Sequence, residues 1–287
     1  MCGIVGAVAQ RDVAEILING LHRLEYRGSA GVAIYDGNKL NLVKAKGRLQ
    51  ILSDKLDAGA QLKGHLGIGH TRWATHGEPS ERNAHPHVSY SGKFAVVHNG
   101  IIENYIKLKE KLLNNGINFY SETDTEVIAQ LFDYYYNGDL LDTGLKVMAE
   151  LEGSYALGII CDDKPGELLA MKKDSPLIIG LGKNENFIAS DITAVINRTR
   201  DIIRLDDNEV ALLTSSNVGV YDKDKRLLSK QVSCIDWDIA SVEKSGYEHF
   251  MLKEIMEQPK VIRDTIKSKI ENGEVFFENI SLEKEYI

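Results

Sequence analysis

The chain opens with MCGIVGAV, and residues 2–8 of this stretch join a cysteine to a short apolar run. Small and branched apolar residues at Ile4–Val8 predict a buried β-strand. If Met1 is removed, Cys2 carries both a thiol and the α-amine of the chain. An α-amine has a pKa of about 7.7–8.0 and can accept a proton near neutral pH, while a thiol beside a base is a strong nucleophile. Cys2 is therefore either a nucleophile ahead of a buried strand or, on the more common interpretation, a small buried residue.

Composition narrows the classes of function. The chain has 287 residues, 43% of them hydrophobic and 26% charged, with a net charge of −8. An acidic chain without a basic stripe does not suit nucleic acid or an anionic membrane, which both attract basic surfaces. Cys2, Cys161 and Cys234 are too scattered for a disulfide framework or a metal site. With no signal peptide and no run of transmembrane length, we predict a cytoplasmic protein that binds neither membrane nor nucleic acid.

Apolar periodicity divides the chain into strands and helices. Strands are predicted at Ile4–Val8, Ala30–Tyr35, Leu40–Ala45, Leu66–His70, Phe94–Val97, Tyr155–Cys161, Leu168–Lys172, Leu177–Leu181, Phe187–Ser190, Val210–Thr214 and Val218–Tyr221. Helices are predicted at Asp12–Leu24, Glu103–Leu113, Thr125–Tyr136 and Thr143–Leu151. Strands on both sides of a helical centre predict an α+β fold with mostly antiparallel sheets. A shift to charged, helical sequence near residue 240 predicts a main domain at 1–240 and a helical linker or tail at 241–287.

The densest polar segment, residues 69–80, reads GHTRWATHGEPS. Arginine can hold a carboxylate through two hydrogen bonds, and threonine adds a donor, so Arg72 and Thr75 are candidates for binding a small polar ligand. The alternative is a surface turn around a buried Trp73. Histidines at 70, 76, 85 and 87 do not have the spacing of a zinc site, and no metal is predicted.

Two further polar motifs each allow a structural and a functional interpretation. Asn99-Gly100 between apolar runs favours a hairpin turn, and the same two residues could donate hydrogen bonds to an oxyanion. Thr123–Glu126 fits a capping box with Thr123 as N-cap. Asp124 would then lie in the first helical turn, where a carboxylate gains from the helix dipole, or it could pair with a substrate ammonium group. The sequence leaves both pairs of alternatives open.

In their order along the chain, these segments resemble the glutaminase domain of the class II glutamine amidotransferases, and within that family its hexosamine-forming members. The segments are Cys2–Gly6, Leu24–Gly28, Gly67–Gly77, Asn83–His87, Val97–Asn104, Thr123–Glu126, Gly153–Ala156 and Tyr247–Ile255. The resemblance implies the N-terminal-nucleophile hydrolase fold, a four-layer α-β-β-α sandwich. It also implies hydrolysis of glutamine to glutamate and ammonia through a cysteinyl thioester, without a cofactor.

The resemblance assigns roles residue by residue. It implies that Cys2 attacks the glutamine amide after loss of Met1, with the α-amine of Cys2 handling the proton. The other roles are an oxyanion hole (Asn99, Gly100), a carboxylate-binding loop (Arg72, Thr75, His76), an ammonium partner (Asp124) and a closing loop (Trp73).

The chain departs from the family at two places. Residues 26–31 read YRGSAG where the family has YRGYDSAG, so the loop beside the nucleophile, with a supporting Arg27, is two residues shorter. A loss of two residues keeps strand alternation, so Ala30 and Val32 should keep their faces. The chain also stops at Ile287, before the sugar-phosphate isomerase domains that would use ammonia to convert fructose 6-phosphate into glucosamine 6-phosphate. Three hypotheses follow: the glutaminase part of such an enzyme, an amidotransferase subunit serving another synthase chain, or a non-catalytic glutamine-binding module.

Overall fold

The computed structural model describes residues 2–24, 29–72, 78–236, 247, 250–267, 270–271 and 274–275. The chain divides into two compact units, Met1–Asp236 and Trp237–Ile287. In the second unit the described elements are one helix and a pair of two-residue strands. Within the described residues, no helix has the length and apolar character needed to cross a membrane. The predicted boundary at residue 240 stays a prediction.

Strands outnumber helices along the described part of the chain. The strands are β1 Gly3–Ala9, β2 Ser29–Tyr35, β3 Leu40–Lys46, β4 Leu66–Arg72, β5 His87–Val88, β6 Phe94–Ile102, β7 Gly153–Cys161, β8 Leu168–Lys173, β9 Ile178–Gly182, β10 Glu185–Ala189, β11 Asp201–Arg204, β12 Glu209–Leu213, β13 Val218–Tyr221, β14 Leu227–Leu228, β15 Ser233–Cys234, β16 Ile270–Glu271 and β17 Glu274–Val275. The helices are α1 Ala14–Arg23, α2 Leu49–Lys55, α3 Tyr105–Asn114, α4 Thr125–Tyr135, α5 Leu140–Glu150 and α6 Phe250–Lys267.

The first unit contains two sheets. One has eight strands in the order β15-β11-β9-β10-β1-β4-β2-β3, and the other has seven in the order β14-β13-β12-β8-β7-β6-β5. Every pairing within them is antiparallel. The order places β1, the strand that follows Cys2, in the interior of its sheet between β10 and β4. The predicted α+β class with antiparallel sheets is confirmed.

Side-chain alternation along the central strands produces four layers. On β6, Phe94 and Val96 pack into a core with α3, α4 and α5, while Ala95 and Val97 pack into the core between the two sheets. Burying both faces of a strand in this way requires the near-continuous apolar sequence that β6 has. On the outer face of the other sheet, the α1 side chains lie directly over glycines of β4. The resulting order is helix, sheet, sheet, helices, as predicted.

Candidate active site

Strand alternation brings the predicted catalytic and binding residues onto the surfaces that face each other across the two sheets. On β1, Ile4 and Val8 belong to the core between the sheets, so Cys2, two residues before Ile4, lies on the same face. On β4, Leu66 and Ile68 belong to that core, and the same period of two extends it to His70 and Arg72. The polar residues therefore continue the apolar face of each strand at one end of the sandwich.

Cys2 and Arg72 are neighbours across the β1–β4 pair. Gly3 pairs with Thr71, so extending the antiparallel register by one residue places Cys2 opposite Arg72. Cys2 is half-buried, whereas Arg72 is buried, with 5% of its surface exposed. Burial lowers the pKa of the Arg72 guanidinium, and the acidic groups of Cys2 and Asp124 oppose that effect. The thiol, the guanidinium and the carboxylate thus share one electrostatic environment.

Asn99 and Gly100 lie within β6, and the hairpin turn favoured from the sequence is wrong. β6 continues through both residues and pairs with β7 as far as Ile102. Gly100 has φ of 129°, and a Cβ at this position would lie 2.0 Å from the Ser154 carbonyl oxygen. Glycine is therefore required for close approach of two strands and not for a turn.

The Asn99 side chain connects the two sheets. Its Nδ2 donates to the carbonyl oxygen of Cys2 at 3.0 Å. Its Oδ1 lies 2.9 Å from Nε2 of His70, a residue of β4. The amide is therefore held at both ends, beside the backbone of the candidate nucleophile.

Asp124 directly precedes α4, and the predicted capping box at Thr123 is wrong. Asp124 occupies the N-cap position without a side-chain capping bond, and its Oδ2 accepts from the backbone N–H of Ile102 at 2.9 Å. Glu126 accepts from the backbone N–H groups of Tyr120 and Ser121, at 2.8 and 2.6 Å, instead of returning to Thr123. Asp124 is therefore fixed to the end of β6, two residues beyond Gly100, which brings its carboxylate to the polar end of the sandwich.

Four buried histidines lie behind these residues, a cluster that the sequence did not predict. They are His70, His85, His87 and His98, with centroid distances from His85 of 4.2, 5.0 and 6.5 Å to the other three. Burial lowers the pKa of every one of these rings, to about 3 for His70. All four are consequently neutral at physiological pH, so they add no positive charge to that of Arg72.

Outside this region, a group of three potential metal ligands has a chemistry that disfavours metal binding. Among the described residues, Cys161, Asp162 and Asp163 place ligand atoms within 4.8 Å of one another. However, Lys93 Nζ forms an ion pair with Asp163 at 2.8 Å. Burial also raises the pKa of the Cys161 thiol to about 11, so the thiol stays protonated near neutral pH.

Several residues with predicted roles lie outside the described part of the chain: Arg27, Trp73, Thr75 and His76. Their roles, and the alternative of a surface turn around Trp73, stay predictions. The residues just before them are not in a loop, because Thr71 and Arg72 belong to β4 and are buried. The part of the predicted polar loop that precedes residue 73 is therefore strand.

The sandwich of two antiparallel sheets, with a cysteine entering a central strand, defines the class of N-terminal-nucleophile amidotransferases. It resembles the solved glutamine phosphoribosylpyrophosphate amidotransferase of B. subtilis, with a TM-score of 0.68 and 26% identity over 79% of this chain and 50% of that one. Residues 54–236 match the family described as the glutamine amidotransferase domain. The chain belongs to this family. A class-II glutamine aminotransferase domain protein from Silicibacter pomeroyi shares the fold, with a TM-score of 0.55 and 13% identity over 77% of this chain and 99% of that one.

Curated relatives extend the similarity to the whole chain. The glutamine–fructose-6-phosphate aminotransferase (isomerizing) of Clostridium tetani is 52% identical over 99% of this chain and 47% of the relative. The enzyme of the same name from Methanosarcina mazei is 46% identical over 100% of this chain and 48% of the relative. The chain thus spans about half the length of these relatives.

Proposed function

We propose that this chain hydrolyses the side-chain amide of glutamine, with Cys2 as the nucleophile. The observation that carries the proposal is the position of Cys2 opposite Arg72 across the β1–β4 pair, with the Asp124 carboxylate fixed to the end of β6. Both acidic groups favour the charge of the Arg72 guanidinium. An α-amino acid carries a carboxylate and an ammonium group, which complement Arg72 and Asp124 respectively. A ligand held by both charges would have a fixed position and would extend its side chain close to the Cys2 thiol.

The chemistry follows from the groups around Cys2. The Cys2 sulfur would attack the amide carbon, and the negative charge on the oxygen would be stabilised by Asn99 Nδ2 and the Gly100 N–H. The α-amine of Cys2 would take the thiol proton and return a proton to the leaving nitrogen, so that ammonia departs and a γ-glutamyl thioester remains. Water would then release glutamate and restore the thiol. This sequence requires that Cys2 be the first residue of the mature chain.

The relatives bear on what would use the ammonia. In the relatives named glutamine–fructose-6-phosphate aminotransferase, this part makes up about half of the length. We propose that the ammonia serves a synthase part that aminates fructose 6-phosphate, joined in the same protein. A separate synthase chain with another acceptor is the second candidate. A glutamine-binding module without catalysis is the third, and the shorter loop after Arg27 is the observation that favours it.

The test is an ammonia and glutamate assay on the purified chain, with its mass measured first to establish removal of Met1. We expect equal amounts of glutamate and ammonia, and covalent labelling of Cys2 by an electrophilic glutamine analogue. Cys2→Ala should abolish both while leaving glutamine binding measurable by calorimetry. Turnover that persists in Cys2→Ala would contradict the proposal. Binding without hydrolysis by the processed wild-type chain would establish the non-catalytic module instead.

A further inference from the structure

We infer that His70 is a positioning residue of the proposed glutaminase site, which fixes the orientation of the Asn99 amide toward Cys2. The inference rests on the proposed function and assigns a specific part in it to one histidine of the buried cluster. The proposed effect of His70 passes through Asn99, because its Nε2 lies 2.9 Å from Asn99 Oδ1 and the other end of that amide donates to the Cys2 carbonyl oxygen. Three features support this role: the tautomer of the ring, the direction of the amide, and the cost of burying the second ring nitrogen.

The surroundings of His70 determine which ring nitrogen carries the proton. Nε2 lies 3.1 Å from the carbonyl oxygen of His98 and 2.9 Å from Oδ1 of Asn99. The ring is fully buried and neutral, so it carries a single proton. A nitrogen facing a carbonyl oxygen must donate, because two lone pairs would repel each other. The proton is therefore on Nε2, which is then a donor toward Asn99 as well.

This tautomer sets the direction of the Asn99 amide. Nε2–H of His70 requires an oxygen, so Oδ1 of Asn99 faces it. The amide nitrogen consequently faces Cys2, where it donates one proton to the carbonyl oxygen at 3.0 Å. Among the described residues no second acceptor takes its other proton, which remains for the oxyanion. If the amide were reversed, its oxygen would lie against the Cys2 carbonyl and its nitrogen against the proton of His70, so both contacts would be lost.

Packing alone does not explain a histidine at this place. Nδ1 of His70 is buried and has no hydrogen-bond partner among the described residues. Burying a polar nitrogen without a partner costs free energy, and an aliphatic side chain of similar size would avoid that cost. Leu66 and Ile68 fill the two preceding positions on this face of β4 without any polar group. The Nε2 contacts are therefore what distinguishes a histidine from a leucine at this position.

The first experiment compares glutaminase kinetics of the full chain carrying H70L, H70Q or N99A with the wild type. H70L removes the donor, and we expect kcat to fall about 10- to 100-fold with little change in KM, less than the loss of about 100- to 1,000-fold expected when N99A removes an oxyanion donor outright. H70Q keeps an amide donor near the position of Nε2 and should recover most of the lost kcat. Failure of H70Q to exceed H70L would contradict the inference.

A double-mutant cycle separates positioning from a structural role. If His70 acts through Asn99, H70L should have no further effect on kcat in the N99A background. The matched control is H85L, because the His85 ring lies 4.2 Å from that of His70 and has no hydrogen bond to Asn99. Its effect should multiply with that of N99A. Multiplication for H70L as well would show that His70 only supports the fold.

A measurement on the unmodified chain does not depend on how the variants fold. Nitrogen-15 NMR of the imidazole should show His70 as the neutral tautomer protonated on Nε2. A proton on Nδ1 would overturn the inference even if glutamine is hydrolysed. Absence of glutamine hydrolysis and of Cys2 labelling in the processed wild type would overturn the proposed function instead, while the NMR result would still decide the orientation of the amide.

Discussion

Two groups of charged residues in the first unit are built in opposite ways. At the polar end of the sandwich, burial lowers the pKa of Arg72, although Cys2 and Asp124 oppose it. At the turn between β11 and β12, Lys230 Nζ contacts Asp206 at 2.7 Å and both Glu209 oxygens at 2.9 Å. Burial acts against the Lys230 charge as well, but these hydrogen bonds outweigh it and raise its pKa.

The difference between the two groups separates a charge held for the fold from one held for a ligand. Lys230 is stabilised by its surroundings, so it contributes to folding stability. Arg72 is disfavoured by its surroundings, so its charge costs folding free energy and would be compensated by an anionic ligand. Binding sites commonly retain charged residues that lower folding stability, because complementarity to a ligand and stability of the empty protein are different requirements. Removing the charge of Arg72 should therefore lower activity and raise stability. Removing the charge of Lys230 should lower stability and leave activity unchanged.

The largest expected effect is on catalysis at Arg72. Arg72→Met should lower kcat/KM for glutamine by about 1,000-fold, equivalent to about 4 kcal/mol, mainly through KM, because two charged hydrogen bonds to the substrate carboxylate are lost. Without glutamine, the same variant should unfold at a higher urea concentration than the wild type. The matched control is Arg11→Met, since Arg11 pairs with Glu185 at 2.8 and 2.7 Å and should not affect kcat/KM. A stability loss in Arg72→Met without a change in KM would remove the distinction between the two groups.

A smaller effect of the opposite kind is expected at Lys230. Lys230→Met leaves Glu209 uncompensated, with 10% of its side chain exposed, and should lower the free energy of unfolding by about 2 kcal/mol. The loss stays below that of a fully buried pair because Asp206 is 81% exposed and can be solvated. Urea denaturation measures the change, and kcat/KM should equal that of the wild type. Unchanged stability would show that this ion cluster is not a structural one.

The smallest effect of a single residue on stability is expected in the histidine cluster, where it is measured per pH unit. Folded His70 has a pKa of about 3, below the ordinary value of 6.5, so between these values the unfolded chain binds more protons than the folded chain. Stability should therefore fall as the pH is lowered below about 6.5, by up to about 1.4 kcal/mol per pH unit for each buried histidine. Urea midpoints from pH 7.5 to 5 measure the slope. His85→Leu should flatten it, and His65→Asn, at an exposed position, should not. Equal slopes in all three proteins would contradict this account.

Most of the fold could be predicted because its elements depend on local periodicity. The predicted strand Leu40–Ala45 corresponds to β3, and the helix Thr125–Tyr136 corresponds to α4 within one residue. The elements that were not predicted are either too short to show a period or become amphipathic only relative to the folded core. Among them are α2 and the two-residue strand β5. Two local motifs gave wrong structures. Asn99-Gly100 continues β6 because β7 pairs along its whole length. Glu126 accepts from the backbone of Tyr120 and Ser121 because these two residues lie within hydrogen-bonding distance of the first turn of α4.

The order of the elements, the family and the available chemical groups can all be read from the amino-acid sequence. The groups are a thiol that adjoins the α-amine once Met1 is removed, a guanidinium, a carboxylate and an amide. Which of these groups meet depends on the packing of the folded chain. Alternation along β1, β4 and β6 fixes the face of each residue, but the partner of that face depends on strand order and on the stacking of two sheets. These are contacts between residues far apart in the chain, which no local period encodes. The neutral histidines behind Asn99 belong to the same category, because their burial exists only once the sheets have packed.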